Sequence, residues 1–258
     1  MVRRRQGQQR QDRRMSARFI AALIGAALLG ACSMAPTPAD YHAIVAAPDR
    51  TDADRKTDER RKPEQLLAFT GVRPGMTVLD MGAGGGYSTE LMARAVGPSG
   101  SVWGQDSAEA GERAKQAFEA RLKSPVMQHV SRVEQPFDDP IPPGVHDLDL
   151  ITFFFFYHDT TYMHVDRAKM DAALFTALKP GGILVIADHS ARVGDGATVG
   201  KTFHRIEEST VKREVQAAGF RFVEEGDFLR NPDDPRNTLV FRSPVPVDEF
   251  VLKFQKPE

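Results

Sequence analysis

The sequence predicts an α/β domain in which a mostly parallel β-sheet is covered by helices. From about residue 52, segments with apolar residues at helical spacing alternate with short apolar runs bounded by Gly, Pro and Asp. These runs are almost uniformly hydrophobic, which is typical of strands buried on both faces of a sheet. The 258 residues, 41% of them hydrophobic and 27% charged, are enough for one globular domain with a short appendage.

The predicted elements follow one another in α/β order. The apolar runs predict strands at residues 76–81, 101–105, 128–133, 150–157, 183–187, 220–224 and 250–254. Helical spacing of apolar residues predicts helices at residues 87–95, 109–122, 163–178 and 211–218. Residues 230–246 are rich in Pro, Asp and Asn, so we expect a surface loop between the last two strands.

The first 31 residues have the layout of a secretory signal. Basic residues at 3–18 precede an apolar run at 19–29, and the sequence LGAC follows at 29–32. The run is too short to cross a hydrocarbon core of about 30 Å, so we expect a removable signal. LGAC resembles the lipobox of bacterial lipoprotein precursors, and this resemblance implies a lipid anchor on Cys32, the only cysteine. A small apolar helix that ends in cysteine by chance is the alternative.

The signal predicts a lipid-anchored lipoprotein of the cell envelope that faces the periplasm. Residues 32–51, with prolines at 36, 38 and 48, then form a tether, and residues 52–258 form the domain. Residues 1–14 read as an upstream extension, because Met15 opens a compact signal of its own. Translation from Met34 would instead give a cytoplasmic protein.

The charge of the mature chain argues against nucleic acid as a partner. Residues 1–31 hold seven Arg and one Asp, so their removal leaves 27 basic and 34 acidic residues, a net charge of -7. Such a surface repels phosphate backbones, and no stripe of Lys and Arg with interleaved aromatic residues overcomes this repulsion.

A glycine-rich turn joins the first predicted strand to a helix in the sequence TVLDMGAGGGYSTELMA. Glycine allows a sharp turn with positive φ and lets a ligand approach the main chain without meeting a Cβ. The dinucleotide pattern GxGxxG fails, because its third glycine would fall on Tyr87 or Thr89. The pattern DxGxGxG fits, with Asp80, Gly82, Gly84 and Gly86.

This pattern resembles motif I of the class I S-adenosylmethionine-dependent methyltransferases. The resemblance covers roughly residues 63–220 and includes HDLDLITFFFFYHD and LKPGGILVIAD. It implies a Rossmann-like three-layer sandwich whose seven-stranded sheet has the order 3-2-1-4-5-7-6 with an antiparallel last strand. It also implies S-adenosylmethionine as cofactor, with Asp80 near its ammonium group and residues 82–86 under its ribose and amino-acid portions. With the export signal, the chain resembles an exported bacterial branch of predicted methyltransferases.

Two further aspartates are candidate cofactor ligands. Asp106 ends the second predicted strand, 26 residues after Asp80, and one carboxylate there can accept charge-assisted hydrogen bonds from two ribose hydroxyls. Capping of the following helix is the alternative or additional role of Asp106. The resemblance places the adenine ring after the third strand, where Asp138 would accept from the exocyclic amine and Phe137 would cover the ring. A plain turn is the alternative for this stretch.

The acceptor is expected beyond the carboxyl ends of the fourth and fifth strands. The side chains there are Tyr157, His158, Asp159, Asp188 and His189. We select His158 as the candidate catalytic residue, with Tyr157 beside it, because a histidine can accept a proton near neutral pH. Adjacent strand residues point to opposite faces, so Asp159 is not expected to orient His158. A structural histidine at the strand end is the alternative.

Several other kinds of site are disfavoured by the sequence. The chain lacks the (Asp/Asn)-Pro-Pro-(Tyr/Phe) motif of many methyltransferases that act on adenine or glutamine. The four phenylalanines at 153–156 are expected to pack in the core rather than to line an acceptor pocket. We predict no metal site, because His189, His204 and the scattered carboxylates show no zinc or magnesium ligand spacing.

The function hypothesis is an S-adenosylmethionine-dependent methyltransferase that acts on a small-molecule acceptor. The alternative is a non-catalytic envelope lipoprotein that keeps the fold and binds an adenosine-type ligand, because an exported domain lies outside the compartment where the cofactor is made. A nicotinamide oxidoreductase is disfavoured by the glycine pattern.

Overall fold

A computed structural model describes residues 38–258 of the chain. The predicted signal at 1–31, the predicted lipid attachment at Cys32 and the alternative start at Met34 lie outside the described residues. Within the described part, no helix is both long and apolar enough to cross a membrane.

The described residues form a seven-stranded sheet with the order β3-β2-β1-β4-β5-β7-β6. The strands are β1 Thr77–Met81, β2 Ser101–Asp106, β3 Val130–Glu134, β4 Leu148–Phe154, β5 Leu178–His189, β6 Arg221–Gly226 and β7 Glu249–Gln255. Strands β1 to β5 pair in parallel, whereas β7 runs antiparallel to β5 and β6. The predicted fold class, strand order and antiparallel last strand are confirmed.

Eight α-helices accompany the sheet in the described part of the chain. They are α1 Pro38–Val45, α2 Asp52–Arg61, α3 Pro63–Thr70, α4 Tyr87–Val96, α5 Glu112–Arg121, α6 Arg167–Ala177, α7 Gly200–Phe203 and α8 Glu208–Ala217. Short 3₁₀ helices occur at Pro125–Met127, Tyr157–Thr161 and Val240–Arg242. The four helices that the apolar spacing predicted correspond to α4, α5, α6 and α8.

Apolar side chains cover both faces of the sheet, as the uniformly hydrophobic strands predicted. Alternate residues of β4 enter two separate core clusters: Ile151 and Phe153 join one, and Leu150 and Phe154 join the other. Helices α6 and α8 contribute to the first cluster, and α1, α3 and α4 contribute to the second. The domain is therefore a three-layer sandwich.

The N-terminal part of the described chain differs from the predicted tether. Residues 38–45 form α1, and the side chain of Tyr41 is buried and donates a hydrogen bond to the Val72 carbonyl at 2.9 Å. A proline in the first turn is compatible with a helix, because the N–H that it lacks has no intrahelical acceptor there. Proline content therefore did not distinguish a tether from a docked helix.

The predicted surface loop at 230–246 is partly buried. Asp234 lies in this loop, and its carboxylate accepts a hydrogen bond of 2.8 Å from the Arg205 guanidinium, both side chains being wholly buried. The same guanidinium donates to the carbonyl groups of Ser190 and Thr238. A buried ion pair is tolerated when its remaining donors are satisfied in this way. The loop is thus fixed against the end of β5.

The sheet brings several segments to one edge. The carboxyl ends of the parallel strands and the amino end of β7 meet there, because β7 runs in the opposite direction. Helix α2 reaches the same edge, where Arg60 donates to Glu249, the first residue of β7, at 2.9 Å. Ligands of open α/β sheets bind beyond this edge.

Candidate active site

The glycine-rich turn between β1 and α4 has an unusual backbone. Gly82, Gly84 and Gly86 have φ angles of 62°, 52° and 80°, a region that strongly favours glycine. A Cβ on Gly82 would lie 3.0 Å from Phe156, so the turn packs directly against the segment after β4. A Cβ on Gly84 would meet no atom closer than 4.0 Å. Gly84 therefore leaves its main chain open to a ligand.

The carboxylate of Asp80 holds the turn in shape. It is wholly buried and accepts hydrogen bonds from Ser88 at 2.8 Å, Thr89 at 2.7 Å and Thr152 at 2.7 Å. Burial raises the pKa of Asp80, and the three hydroxyl donors oppose this rise. Asp80 was predicted at the strand end near the cofactor's ammonium group, and that contact stays a prediction. The carboxylate itself is wholly buried and ties the start of α4 to β4.

Asp106 joins the end of β2 to the glycine-rich turn. Its Oδ2 accepts from the Gly84 N–H at 3.2 Å, and its Oδ1 accepts from the Ser107 N–H at 2.9 Å. Burial raises the pKa of Asp106, while the two amide donors lower it. Helix α5 begins only at Glu112, so the alternative role of Asp106 as its cap is wrong.

The stretch after β3 borders a cavity of about 380 Å³. The half-buried Asp138 lines it together with Ser107, the neighbour of Asp106, and its carboxylate lies 3.7 Å from Lys169 Nζ. Phe137 also lines the cavity, but its ring is 2% exposed and stacks on Phe156 at a centroid distance of 5.0 Å. The ring of Phe137 thus belongs mainly to the core.

Helix α2 is fastened over the turn by ion pairs and hydrogen bonds. Asp58 accepts from the Tyr87 hydroxyl at 2.6 Å and forms a bidentate pair with Arg50. Arg121 of α5 pairs with Asp54 at 2.7 Å and donates to the Gly85 carbonyl at 3.1 Å. The helix therefore contacts the start of α4 and the helix that follows β2, and Arg121 links it to the turn.

Arg61, the last residue of α2, is a cation without a carboxylate partner in the described part of the chain. Its guanidinium lies 4.5 Å from the Phe155 ring centroid and 5.3 Å from that of Tyr87. The Nε atom is buried and has no hydrogen-bond acceptor among the described residues. Burial lowers the pKa of Arg61 to about 10. An enclosed cation of this kind is stabilised when an anion joins it. No sequence pattern predicted a role for this residue.

The chain turns sharply after β4. This strand ends at Phe154, three residues earlier than predicted, and Phe155 adopts a φ of 59° that bulky residues rarely adopt. Backbone strain of this kind is concentrated at functional sites. A 3₁₀ helix then carries His158 and Asp159. Because these two residues do not lie on a strand, the predicted opposite orientation of their side chains is wrong.

Tyr157 points into the core rather than toward an acceptor. It is wholly buried in the cluster that α6 and α8 cover, and its hydroxyl lies 2.9 Å from Asp171 Oδ2 and 3.0 Å from Glu214 Oε2. Burial, reinforced by the two carboxylates, raises the pKa of Tyr157 well above its ordinary value. The structure thus contradicts the predicted catalytic role of Tyr157.

Asp171, one of the two carboxylates beside Tyr157, makes the free energy of unfolding depend on pH. Burial raises the pKa of Asp171 from 3.8 to about 7, so its contribution to stability is present below pH 4 and is lost as pH rises through 7. An Asp171→Asn variant lacks this loss. We expect the stability of the variant relative to wild type to rise by roughly 2–4 kcal/mol between pH 4 and pH 8. Urea denaturation across this range measures the free energy of unfolding of both proteins. If wild type and Asp171→Asn show the same dependence on pH, the raised pKa of Asp171 is contradicted.

His158 is held by the carboxylate of Asp188. Both are buried, His158 Nδ1 lies 2.7 Å from Asp188 Oδ1, and the His158 main-chain N–H donates to Oδ2 at 2.7 Å. Burial opposes the charged form of His158, but attraction by Asp188 outweighs it and raises the pKa of His158. Asp188 was predicted on the acceptor side, but not as the partner of His158. Since Nδ1 faces Asp188, Nε2 is the nitrogen left for other partners.

Three histidines form a row along the sheet edge. The ring of His158 lies 5.5 Å from that of His189 and 5.2 Å from that of His204, measured between centroids. His204 Nδ1 is 3.1 Å from His158 Nε2 and 3.4 Å from an Asp159 oxygen. The exposed ring of Phe241 lies 5.2 Å from His204. The row thus borders solvent through His204 and Phe241.

Comparison with known proteins identifies a family match. The model of the methyltransferase domain family matches residues 54–225. The chain is 40% identical over 82 residues to a 2-phytyl-1,4-naphtoquinone methyltransferase of Trichormus variabilis, covering 30% of this chain and 34% of that protein. It is 30% identical over 127 residues to a demethylmenaquinone methyltransferase of Staphylococcus aureus, covering 49% of this chain and 48% of that protein. The chain thus spans half or less of the length of these curated relatives.

A solved structure shows the same fold. The SAM dependent methyltransferase from Aquifex aeolicus superposes with a TM-score of 0.58 at 19% identity, covering 85% of this chain and 98% of that one. At this identity the likeness concerns the fold alone.

Proposed function

This chain belongs to the methyltransferase domain family, and on that premise we propose that it transfers the methyl group of S-adenosylmethionine to a small-molecule acceptor. The observation that carries this proposal is the link between Asp106 and the open glycine Gly84 at the carboxyl edge of the sheet. It joins a carboxylate suited to a ribose diol to a main-chain surface on which the rest of the cofactor can lie.

The edge offers complementary groups for each part of the cofactor. The ribose hydroxyls would donate to Asp106, and the adenine would enter the cavity bordered by Ser107 and Asp138. The cofactor has one carboxylate, at its amino-acid end, and the half-buried Arg61 has a buried Nε without an acceptor and no carboxylate partner in residues 38–258. We therefore assign that carboxylate to Arg61, which lies between Tyr87 at the start of α4 and Phe155 after β4.

The acceptor would bind against the cluster of His158, Asp159 and His204. This cluster presents two imidazole nitrogens and a carboxylate, and the exposed ring of Phe241 borders it. The curated relatives are named for naphthoquinone and menaquinone substrates. We propose an aromatic acceptor that carries oxygen, such as a naphthoquinol.

The transfer itself needs mainly positioning. A carbon or oxygen atom of the acceptor attacks the methyl carbon in line, the bond between this carbon and sulfur breaks, and sulfur keeps the electron pair. The acceptor loses a proton to the solvent or to the cluster. Holding both reactants in this geometry supplies much of the rate enhancement of such a reaction.

Calorimetric titration with S-adenosylmethionine, S-adenosylhomocysteine and NAD tests the proposed cofactor. We expect the first two to bind and NAD not to bind. Binding of NAD alone would contradict the proposal. Binding of S-adenosylmethionine without methyl transfer to naphthoquinols would support the non-catalytic alternative.

Asp106→Ala is expected to weaken S-adenosylmethionine binding by about 2–3 kcal/mol, roughly 30- to 150-fold, because two ribose hydroxyls lose a charged partner. Calorimetry measures the affinity, and circular dichroism checks that the variant is folded. The matched control is Asp139→Ala, which removes an exposed carboxylate nearby and should leave the affinity unchanged. An unchanged affinity in folded Asp106→Ala would exclude the ribose assignment.

We also propose a location at the cell envelope through lipid on Cys32. The support for it is the sequence of residues 1–32 alone. Cell fractionation tests it: a soluble cytoplasmic protein that begins at Met34 would exclude the anchor.

A further inference from the structure

Potential ligand atoms of three side chains converge beside the proposed acceptor position. His158 Nε2 lies 3.1 Å from His204 Nδ1 and 3.3 Å from Asp159 Oδ2, and His204 Nδ1 lies 3.4 Å from Asp159 Oδ1. Metal ions of the zinc type bind such atoms at about 2.0–2.2 Å, so ligands at octahedral or tetrahedral angles stand about 2.8–3.6 Å apart. The triangle of His158, Asp159 and His204 has separations of this size, with Asp159 facing the two imidazoles through different carboxylate oxygens.

We propose that His158, Asp159 and His204 bind a divalent transition-metal ion. Two imidazoles and one carboxylate on one side of an ion leave its other coordination positions open, as in catalytic zinc sites and non-haem iron sites. The half-buried His204 lies at the solvent side of the cluster, and an ion can enter there.

The hydrogen-bond partners of the proposed ligands support this assignment. A metal-bound histidine usually donates its second ring N–H to a carboxylate, which fixes the ring and increases its basicity. Asp188 provides such an acceptor, 2.7 Å from His158 Nδ1. The ligand Asp159 is in turn oriented by a hydrogen bond from the Tyr162 hydroxyl. In this structure His158 Nε2 and His204 Nδ1 share a hydrogen bond of 3.1 Å, and a bound ion would replace it.

The ion would bind an oxygen atom of the acceptor and stabilise its deprotonated form. This role rests on the proposed function, because it requires an acceptor that carries oxygen. Binding of the ion itself does not depend on methyl transfer, and the two can therefore be tested separately.

Equilibrium dialysis of the untagged full-length chain tests the site. The chain is first stripped with a chelator and then dialysed against Zn²⁺ or Co²⁺. We expect one ion per chain, measured by mass spectrometry, and a Co²⁺ absorption spectrum typical of nitrogen and oxygen ligands. His204→Asn should weaken binding at least about 30-fold, because it removes a ligand at a backbone conformation that asparagine tolerates.

The matched control is His189→Asn, which changes a neighbouring histidine outside the triangle and should leave the ion bound. No stoichiometric binding by the folded wild type would overturn the proposal, as would equal affinity in wild type and His204→Asn. Titration of the metal-free chain with S-adenosylmethionine is a separate readout. Cofactor binding without metal binding would overturn the metal site alone, and the reverse result would overturn only the proposed cofactor.

Discussion

Replacement of Arg61 by methionine is expected to weaken S-adenosylmethionine binding by roughly 2–5 kcal/mol, about 30- to 5,000-fold. The cofactor's carboxylate would lose its guanidinium partner in an enclosed position, where it has no compensating contact with water. Methionine keeps much of the apolar contact with the rings of Tyr87 and Phe155, so the loss of charge dominates the effect. Calorimetric titration of the folded variant with S-adenosylmethionine measures this loss of affinity.

Two comparisons separate the loss of this contact from a general disturbance. Arg60→Met removes the neighbouring cation, which is 46% exposed and paired with Glu249, and should change the affinity little. Methylthioadenosine lacks the amino-acid end of the cofactor, so the Arg61→Met variant should bind it as wild type does. If methylthioadenosine binding falls as much as cofactor binding, Arg61 supports the fold of the site and does not contact the carboxylate.

Replacement of His158 by asparagine is expected to lower kcat for a naphthoquinol acceptor by about 100- to 10,000-fold, the range for loss of a group that acts on the reacting proton or oxygen. The affinity for S-adenosylmethionine should change less than about 3-fold, since the glycine-rich turn and Asp106 remain. Asparagine can still donate to Asp188, which avoids leaving a buried carboxylate unpaired. Steady-state kinetics measures kcat, and calorimetry measures the affinity for S-adenosylmethionine.

The control for His158 is its neighbour in sequence. Tyr157→Phe changes a ring that lies in the core, so it should lower stability and leave kcat nearly unchanged. Full activity of His158→Asn would remove His158 from the reaction. Equal loss of kcat in both variants would indicate that the 3₁₀ helix itself had been displaced.

The sheet was predictable because each of its strands has a recognisable local sequence pattern. The buried strands read as uniform apolar runs, and the strand order followed from the family that the glycine-rich turn resembles. The boundaries near the site were less predictable. Phe153 to Phe156 form one apolar run, yet the strand stops after Phe154, because Phe155 turns into a left-handed conformation stabilised by tertiary contacts.

The candidate site was predictable only where sequence spacing reflects parallel pairing. Asp106 and Gly84 were both predicted to bind the cofactor, and they lie together because β1 and β2 are adjacent and their ends align. His204 lies 46 positions from His158 and directly follows the short helix α7, so no ligand spacing in the sequence indicated it. Arg61 was missed for a related reason: an arginine at a helix end is usually solvated, and only packing shows that this one is enclosed.

The ion pairs and hydrogen bonds that hold α2 in place have a consequence for the rate of turnover. The space beside Arg61, lined also by Tyr87, Ser88 and Phe154, measures only about 10 Å³, too little for a carboxylate. On the proposed assignment, the amino-acid end of the cofactor would reach Arg61 when α2 detaches from Arg121 or the rings shift aside. The homocysteine product carries the same end and must leave by the same movement. Exchange of spent for fresh cofactor would then be gated by this helix, and its opening rate would set the ceiling on kcat.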